Sequence, residues 1–184
     1  MIPAAELTEI DPTRQVQTLP YILFVEDEQT VRELIARSLA DEFSVETAGD
    51  GEAALRAVLK RRPDLVVTDL VMPGISGIEL VRTLRSTPST ATIPILMISG
   101  RAPDELRIMG FELGADSYLP KPYTERELRV RIRAMLQSER VRREAAGREA
   151  QQQAEKRGIA ERAALLQSIT DAFYALDRNW RFNY

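Results

Sequence analysis

Residues 65–77 read LVVTDLVMPGISG. An almost unbroken apolar run from Leu65 to Leu70 carries one carboxylate near its end, Asp69, and gives way at once to Met72-Pro73-Gly74 and then Gly77. A run of this length suits a strand covered on both faces, as in a parallel sheet, and the Pro-Gly pair ends it in a tight turn. Outward from it, YILFV (21–25), FSVETA (43–48), PILMIS (94–99) and SYLP (117–120) read as four more strands. Between the strands the apolar positions switch to helical spacing. They fall at Val31, Leu34, Ile35 and Leu39, at Ala53, Ala54, Ala57 and Val58, at Leu80, Val81 and Leu84, and at Leu106, Met109, Phe111 and Leu113. A last helix starts near Thr124. Five strand–helix alternations predict an α/β fold, an open (βα)5 doubly wound parallel sheet with helices on both faces.

The composition limits the chemistry. The 184 residues amount to one full domain plus part of a second, and they contain no histidine and no cysteine. Ser/His/Asp and Cys/His nucleophiles, Cys/His zinc sites and disulfides are thereby excluded. What remains is chemistry by carboxylates, hydroxyls, lysine and a hard cation. The net charge of −3 gives no general bias toward nucleic acid or anionic membrane. No apolar run is long enough to span a bilayer, and the first twenty residues have neither a basic start nor an apolar core, so a cytoplasmic location is expected.

In a parallel sheet all C-terminal strand ends lie along one edge, where ligands bind. This rule brings together Glu26 and Asp27 after the first strand, Asp69 at the end of the third, Ser99 at the end of the fourth and Lys121 after the fifth. Three carboxylates so close repel one another unless a cation joins them, which points to a hard divalent ion with oxygen ligands, Mg²⁺ above others. The lysine and the hydroxyl complete a pocket for a tetrahedral anion.

The pieces FVEDE, VVTDLVMPGISG, ILMISG and GADSYLPKP, in this order and spacing, resemble the receiver domain of two-component response regulators over about residues 20–138. The resemblance implies the strand order 2-1-3-4-5. It implies Asp69 as phosphoacceptor, a carboxylate nucleophile that forms an acyl phosphate. Asp27 would bind Mg²⁺ directly, Glu26 nearby or through water, and the backbone carbonyl of Val71 would add a ligand. Many relatives carry Asp-Asp where this chain has Glu26-Asp27. Lys121 would pair with a phosphoryl oxygen, and Ser99 would donate its hydroxyl to another. Tyr118 matches the aromatic switch position, turning inward as Ser99 moves toward the phosphate and altering the surface of the fourth helix, fifth strand and fifth helix. Pro122 resembles the family's cis proline. The phosphoryl donor would be a phosphohistidine on a sensor histidine kinase or phosphotransfer protein, which the absence of histidine here accommodates.

Simpler roles exist for several of these residues. Asp69 could only cap the turn after its strand, Ser99 could bond to backbone, and Tyr118 could be an edge-strand aromatic that does not switch. Glu28 reads as a first-turn acid favoured by the helix dipole.

The remainder divides by charge. Residues 1–124 hold 12 Lys/Arg against 19 Asp/Glu, while residues 125–162 hold 11 against 7. Residues 1–19 read as a polar tail. From Thr124 a proline-free stretch rich in Ala, Glu, Gln, Arg and Leu predicts that the last helix continues as a linker over 139–168. Leu128, Ile132, Met135 and Ala145, then Ile159, Ala163, Leu166 and Ile169, supply an apolar stripe, from which a parallel coiled-coil homodimer through 124–170 is expected. The alternative is a helix folding back on its own domain. The arginines at 126, 129, 131, 133, 140, 142 and 143 are interleaved with glutamates and argue for a salt-bridged surface, not for nucleic acid. Residues 169–184 read as a helical turn, an apolar strand FYAL, a polar turn DRN and a second strand WRFNY, and resemble the opening of a PAS sensor domain, with a natural C-terminal tail as the other reading. A histidine kinase or diguanylate cyclase would then follow in the intact protein.

Two rival functions stand beside phosphoacceptance. One is an Asp-nucleophile phosphohydrolase, although such enzymes usually carry a second acid two residues on, where this chain has Val71. The other is a dimerisation scaffold that works without phosphorylation. No turnover enzyme is expected in these residues beyond self-phosphorylation at Asp69 and slow loss of the acyl phosphate.

Overall fold

The computed structural model describes residues 18–100, 108, 110 and 112–174, the last seven of these by backbone only. Five strands, β1 (Tyr21–Val25), β2 (Ser44–Ala48), β3 (Leu65–Asp69), β4 (Ile95–Ser99) and β5 (Ser117–Pro120), form one sheet. The order is β2-β1-β3-β4-β5 and every pairing is parallel. Helices α1 (Gln29–Leu39), α2 (Gly51–Lys60), α3 (Gly77–Ser86) and α4 (Glu125–Tyr174) complete the described elements. This is the (βα)5 sheet and strand order expected. The helical repeat at Leu106, Met109 and Phe111 lies largely outside the described residues, although residues 108, 110 and 112 are helical.

The period-two alternation of the strands builds two cores. Leu23, Val25, Val66, Ile95 and Met97 face one side, against Ala54 and Val58 of α2 and Leu80, Val81 and Leu84 of α3. Ile22, Phe24, Leu65, Val67, Leu96 and Ile98 face the other, against Ile35 and Leu39 of α1 and Leu128 and Ile132 of α4. Burying each of these Val, Leu, Ile, Phe and Met side chains contributes about 1.5–3 kcal/mol relative to leaving it in water.

Helix starts are fixed by local chemistry. The Asp50 carboxylate accepts the Ala53 N–H at 2.7 Å, and Ser76 with Glu79 forms a reciprocal capping box. Thr124 and Glu127 pair in the same way at the start of α4, the Thr124 N–H donating to Glu127 at 2.7 Å and the Glu127 N–H to the Thr124 hydroxyl at 3.2 Å. Glu28 is the extended N-cap residue of α1 and not a member of its first turn.

The chain forms two units, residues 1–136 and 137–184. In the second, α4 runs on through Gly147 and Gly158, which do not interrupt it. Its outer positions are exposed, including Val141, Ile159, Leu165 and Leu166. Glu139 pairs with Arg143 at 2.9 Å, and Glu144 with Arg140 and Arg148 at 3.6 and 3.7 Å. Each pair adds a few tenths of a kcal/mol to the helix.

Two expectations about the C-terminal part need correction. Leu128 and Ile132 are fully buried in the core of their own domain. They cannot also form an intermolecular seam, because one apolar face satisfies one partner. Phe173 and Tyr174, expected in a strand, are helical, since extending a helix needs no partner whereas a strand needs a sheet. Residues 175–184, where the rest of the expected PAS-like opening falls, and residues 1–17 of the expected N-terminal tail lie outside the described residues. No helix among the described residues is long and apolar enough to cross a membrane.

Candidate functional site

The sheet's C-terminal edge gathers the residues singled out by the sequence. Strand β1 ends at Val25, and the Glu26 N–H donates to the Ala48 carbonyl at 3.1 Å, which carries the parallel ladder one residue further and fixes Glu26 at the edge. Asp69 ends β3 and lies beside Ile98, so Ser99 is one residue farther along β4. The Lys121 N–H donates to the Ser99 carbonyl at 2.6 Å and anchors the lysine to the same edge. The Lys121–Pro122 peptide is cis, as the resemblance implies.

Behind Asp69 the chain must turn sharply. Gly74 adopts a φ of +73°, a conformation that L side chains rarely take. A Cβ on Gly77 would collide with the Asp69 carbonyl oxygen. Glycine at 77 therefore lets the first turn of α3 pack directly on the backbone of Asp69.

Lys121 Nζ donates to Asp69 Oδ2 at 2.5 Å and to Glu26 Oε2 at 2.8 Å. The Glu26 side chain is only 4% exposed and that of Asp69 11%. Asp27 joins them, and carboxylate oxygens of Glu26, Asp27 and Asp69 all lie within 4.8 Å of one another. Burial pushes the Glu26 carboxyl above the usual carboxylate range; the Lys121 hydrogen bond pulls against this, and the charge of Asp69 adds to it. For Lys121, burial works against the ammonium, but hydrogen bonds and charge from Asp69 and Glu26 outweigh it and leave the pKa above the ordinary lysine value. The site is a buried and a half-buried acid held by one ammonium, with a third, exposed acid beside them.

These donors fit a hard divalent cation. All are carboxylate oxygens, no soft ligand is present, and Asp27 is open to solvent so that bound waters can be kept. Val71 is exposed, with its N–H 3.4 Å from Asp69 Oδ1. The Ser99 side chain is buried and its hydroxyl donates to the Gly100 carbonyl at 3.4 Å. Tyr118 pairs in register with Met97, is half-buried, and packs on the core shared with α2 and α3. The structure thus brings Glu26, Asp27, Asp69 and Lys121 into one cluster, places Ser99 at the same edge, and sets Tyr118 on the adjoining strand.

Two neighbours went unread in the sequence. Arg32, on the first turns of α1, donates from Nη1 to the carbonyls of Glu26 and Asp27, both at 2.7 Å. Tyr123, half-buried against the other core, has its phenol raised by burial; Lys121 opposes that rise, and Glu26 and Asp69 add to it. The signal for Arg32 was its place five residues after Asp27, where carbonyls leaving a strand need donors.

Residues 22–133 match the response regulator receiver domain family. Response regulator MprA of Mycobacterium leprae (strain TN) is 47% identical over 116 residues, 62% of this chain and 50% of its own length. The phosphate regulon transcriptional regulatory protein PhoB of Rhizobium meliloti (strain 1021) is 42% identical over 119 residues, 64% of this chain and 52% of its own. The chemotaxis protein CheY4 of Vibrio cholerae has a similar structure, with a TM-score of 0.61 at 30% identity over 64% of this chain and 99% of that one. The chain spans about half the length of the curated relatives it matches. With the sheet order, the acidic edge and a family match covering most of its length, this chain belongs to the response regulator receiver domain family.

Proposed function

We propose that this chain accepts a phosphoryl group on Asp69 from a phosphohistidine of a sensor histidine kinase or phosphotransfer protein. The observation that carries the proposal is the placement of Asp69 between Lys121, at 2.5 Å, and the acids Glu26 and Asp27. An Asp69 carboxylate oxygen attacks phosphorus, the P–N bond to the donor imidazole breaks, and the imidazole leaves with the bonding electrons. The product is an acyl phosphate on Asp69, which water later hydrolyses. Glu26, Asp27 and Asp69 would hold Mg²⁺, with the Val71 carbonyl as a further ligand. When bound, the ion supplies positive charge to the transferring phosphoryl oxygens.

The rest of the work falls to the chain. Phosphorylation adds about −1.5 to −2 charges to an acidic pocket. Lys121 then exchanges its contact with Asp69 Oδ2 for a phosphoryl oxygen. Ser99 turns its hydroxyl from Gly100 toward another, and Tyr118 fills the space left behind. The change biases two pre-existing arrangements of the surface around β5 and α4. The signal passes along α4 into a C-terminal module, for which a PAS-like segment over 169–184 and a kinase or cyclase beyond it are the proposed continuation. With Leu128 and Ile132 committed to the domain core, a parallel dimer seam would use the exposed Ile159 and Leu166, one heptad apart.

Beryllofluoride, a phosphoryl mimic, tests the site. Fluorine NMR should show a bound species with wild type and Mg²⁺ and none with Asp69→Asn. The scaffold reading predicts the same self-association with and without beryllofluoride.

A further inference from the structure

The acidic cluster stands on a floor of backbone carbonyls. The peptide units after Glu26 and Asp27 leave β1 where the ladder ends, and their carbonyls need donors. One nitrogen provides both: Arg32 Nη1 lies 2.7 Å from Glu26 O and 2.7 Å from Asp27 O. The backbone N–H of Arg32 donates to the Glu28 carbonyl at 3.1 Å, closing the first turn of α1. Arg32 therefore grips three successive residues, 26 to 28. The guanidinium lies against Gly49, where an added Cβ would sit 3.3 Å from Nη1. The loop after β2 thus leaves room for it.

We infer that Arg32 is a positioning residue for the cation site. Its two hydrogen bonds fix the planes of the peptides that carry Glu26 and Asp27, and so set where both carboxylates point. This rests on the reading that Glu26, Asp27 and Asp69 hold Mg²⁺, and it assigns Arg32 no contact with the ion. A charge role and a positioning role predict opposite signs. A guanidinium near a cation site repels the ion, so if charge dominated, removing it would tighten Mg²⁺ binding. If positioning dominates, removing it weakens binding, because partners that orient metal ligands typically account for about 10- to 100-fold in affinity.

Isothermal titration calorimetry with MgCl₂ on wild type, Arg32→Met, Arg32→Lys and Asp27→Asn decides between them, with amide NMR spectra and unfolding midpoints in metal-free buffer as fold controls. Arg32→Met should bind Mg²⁺ about 10-fold more weakly, and Arg32→Lys, which keeps a charge and a donor, should fall between it and wild type. Unchanged or tighter binding in Arg32→Met overturns the inference. If Arg32→Met does not fold, Arg32→Lys carries the test: binding equal to or tighter than wild type overturns the inference. If wild type itself binds no Mg²⁺, or Asp27→Asn binds as wild type does, it is the cation-site reading that fails, and the inference falls with it.

Discussion

Lys121 Nζ sits 2.5 Å from Asp69 Oδ2 and 2.8 Å from Glu26 Oε2. The ammonium holds together a buried and a half-buried carboxylate that would otherwise repel. It also offsets negative charge that would attract a cation to the same cluster. Lys121→Met should therefore destabilise the metal-free protein by about 1.5–3 kcal/mol, the range for hydrogen bonds to charged groups. Added Mg²⁺ should stabilise this variant more than it stabilises wild type. Urea unfolding with and without MgCl₂ checks both; equal Mg²⁺ effects would separate the lysine from the cation site.

Asp27 is the exposed member of the acidic trio, and exchanging its carboxylate for an amide leaves its backbone carbonyl on Arg32 untouched. Asp27→Asn should leave the metal-free unfolding midpoint almost unchanged. In wild type, Mg²⁺ at 100 times its dissociation constant should add about 2.7 kcal/mol, and Asp27→Asn should lose most of that gain. A full Mg²⁺ response in the variant would remove Asp27 from the ligand set.

The fold and the acidic edge were legible because each rests on a local pattern. Ile22 and Phe24 alternate with Leu23 and Val25 onto opposite cores, and such a strand is apolar throughout. Asp69 and Lys121 could be placed because a parallel sheet sends every strand end to one edge. What the sequence hid were choices between equivalent partners. Leu128 and Ile132 form an i, i+4 stripe that looks the same whether a second helix or the chain's own sheet covers it. Arg32 and Arg37 are both helix arginines, yet one reaches carbonyls of the acidic loop and the other lies beside Glu33.

That choice of partner gives a pair of contrasting outcomes along α4. Leu128→Ala should destabilise the domain by about 2–5 kcal/mol, the usual result of truncating a buried leucine, and leave self-association unchanged. Ile159→Asp with Leu166→Asp should do the reverse, abolishing the proposed dimer in sedimentation velocity without moving the unfolding midpoint of the α/β domain. A dimer that survives the double aspartate variant would exclude this seam.

The start of α4 is tied to the body by charge. Glu42 accepts from Arg133 at 2.5 and 2.7 Å and from Arg129 at 2.6 Å. The Arg133 hydrogen bonds lower its pKa, burial opposes them, and Arg129 adds to the lowering. A carboxyl depressed in the folded state contributes stability that is present above its unfolded pKa and lost as pH falls through the folded value. Glu42→Gln should therefore be less stable than wild type at pH 7, and the difference should vanish at low pH. Urea midpoints measured across a pH series check this; a constant difference would mean that Glu42 acts without its charge.

Intact-mass spectrometry after incubation with phosphoramidate and Mg²⁺ tests the central claim most directly. Wild type should gain one phosphoryl group that is released by hydroxylamine, as an acyl phosphate is, and Asp69→Asn should gain none. A hydroxylamine-labile phosphoryl group on Asp69→Asn, or none on wild type, would contradict the account.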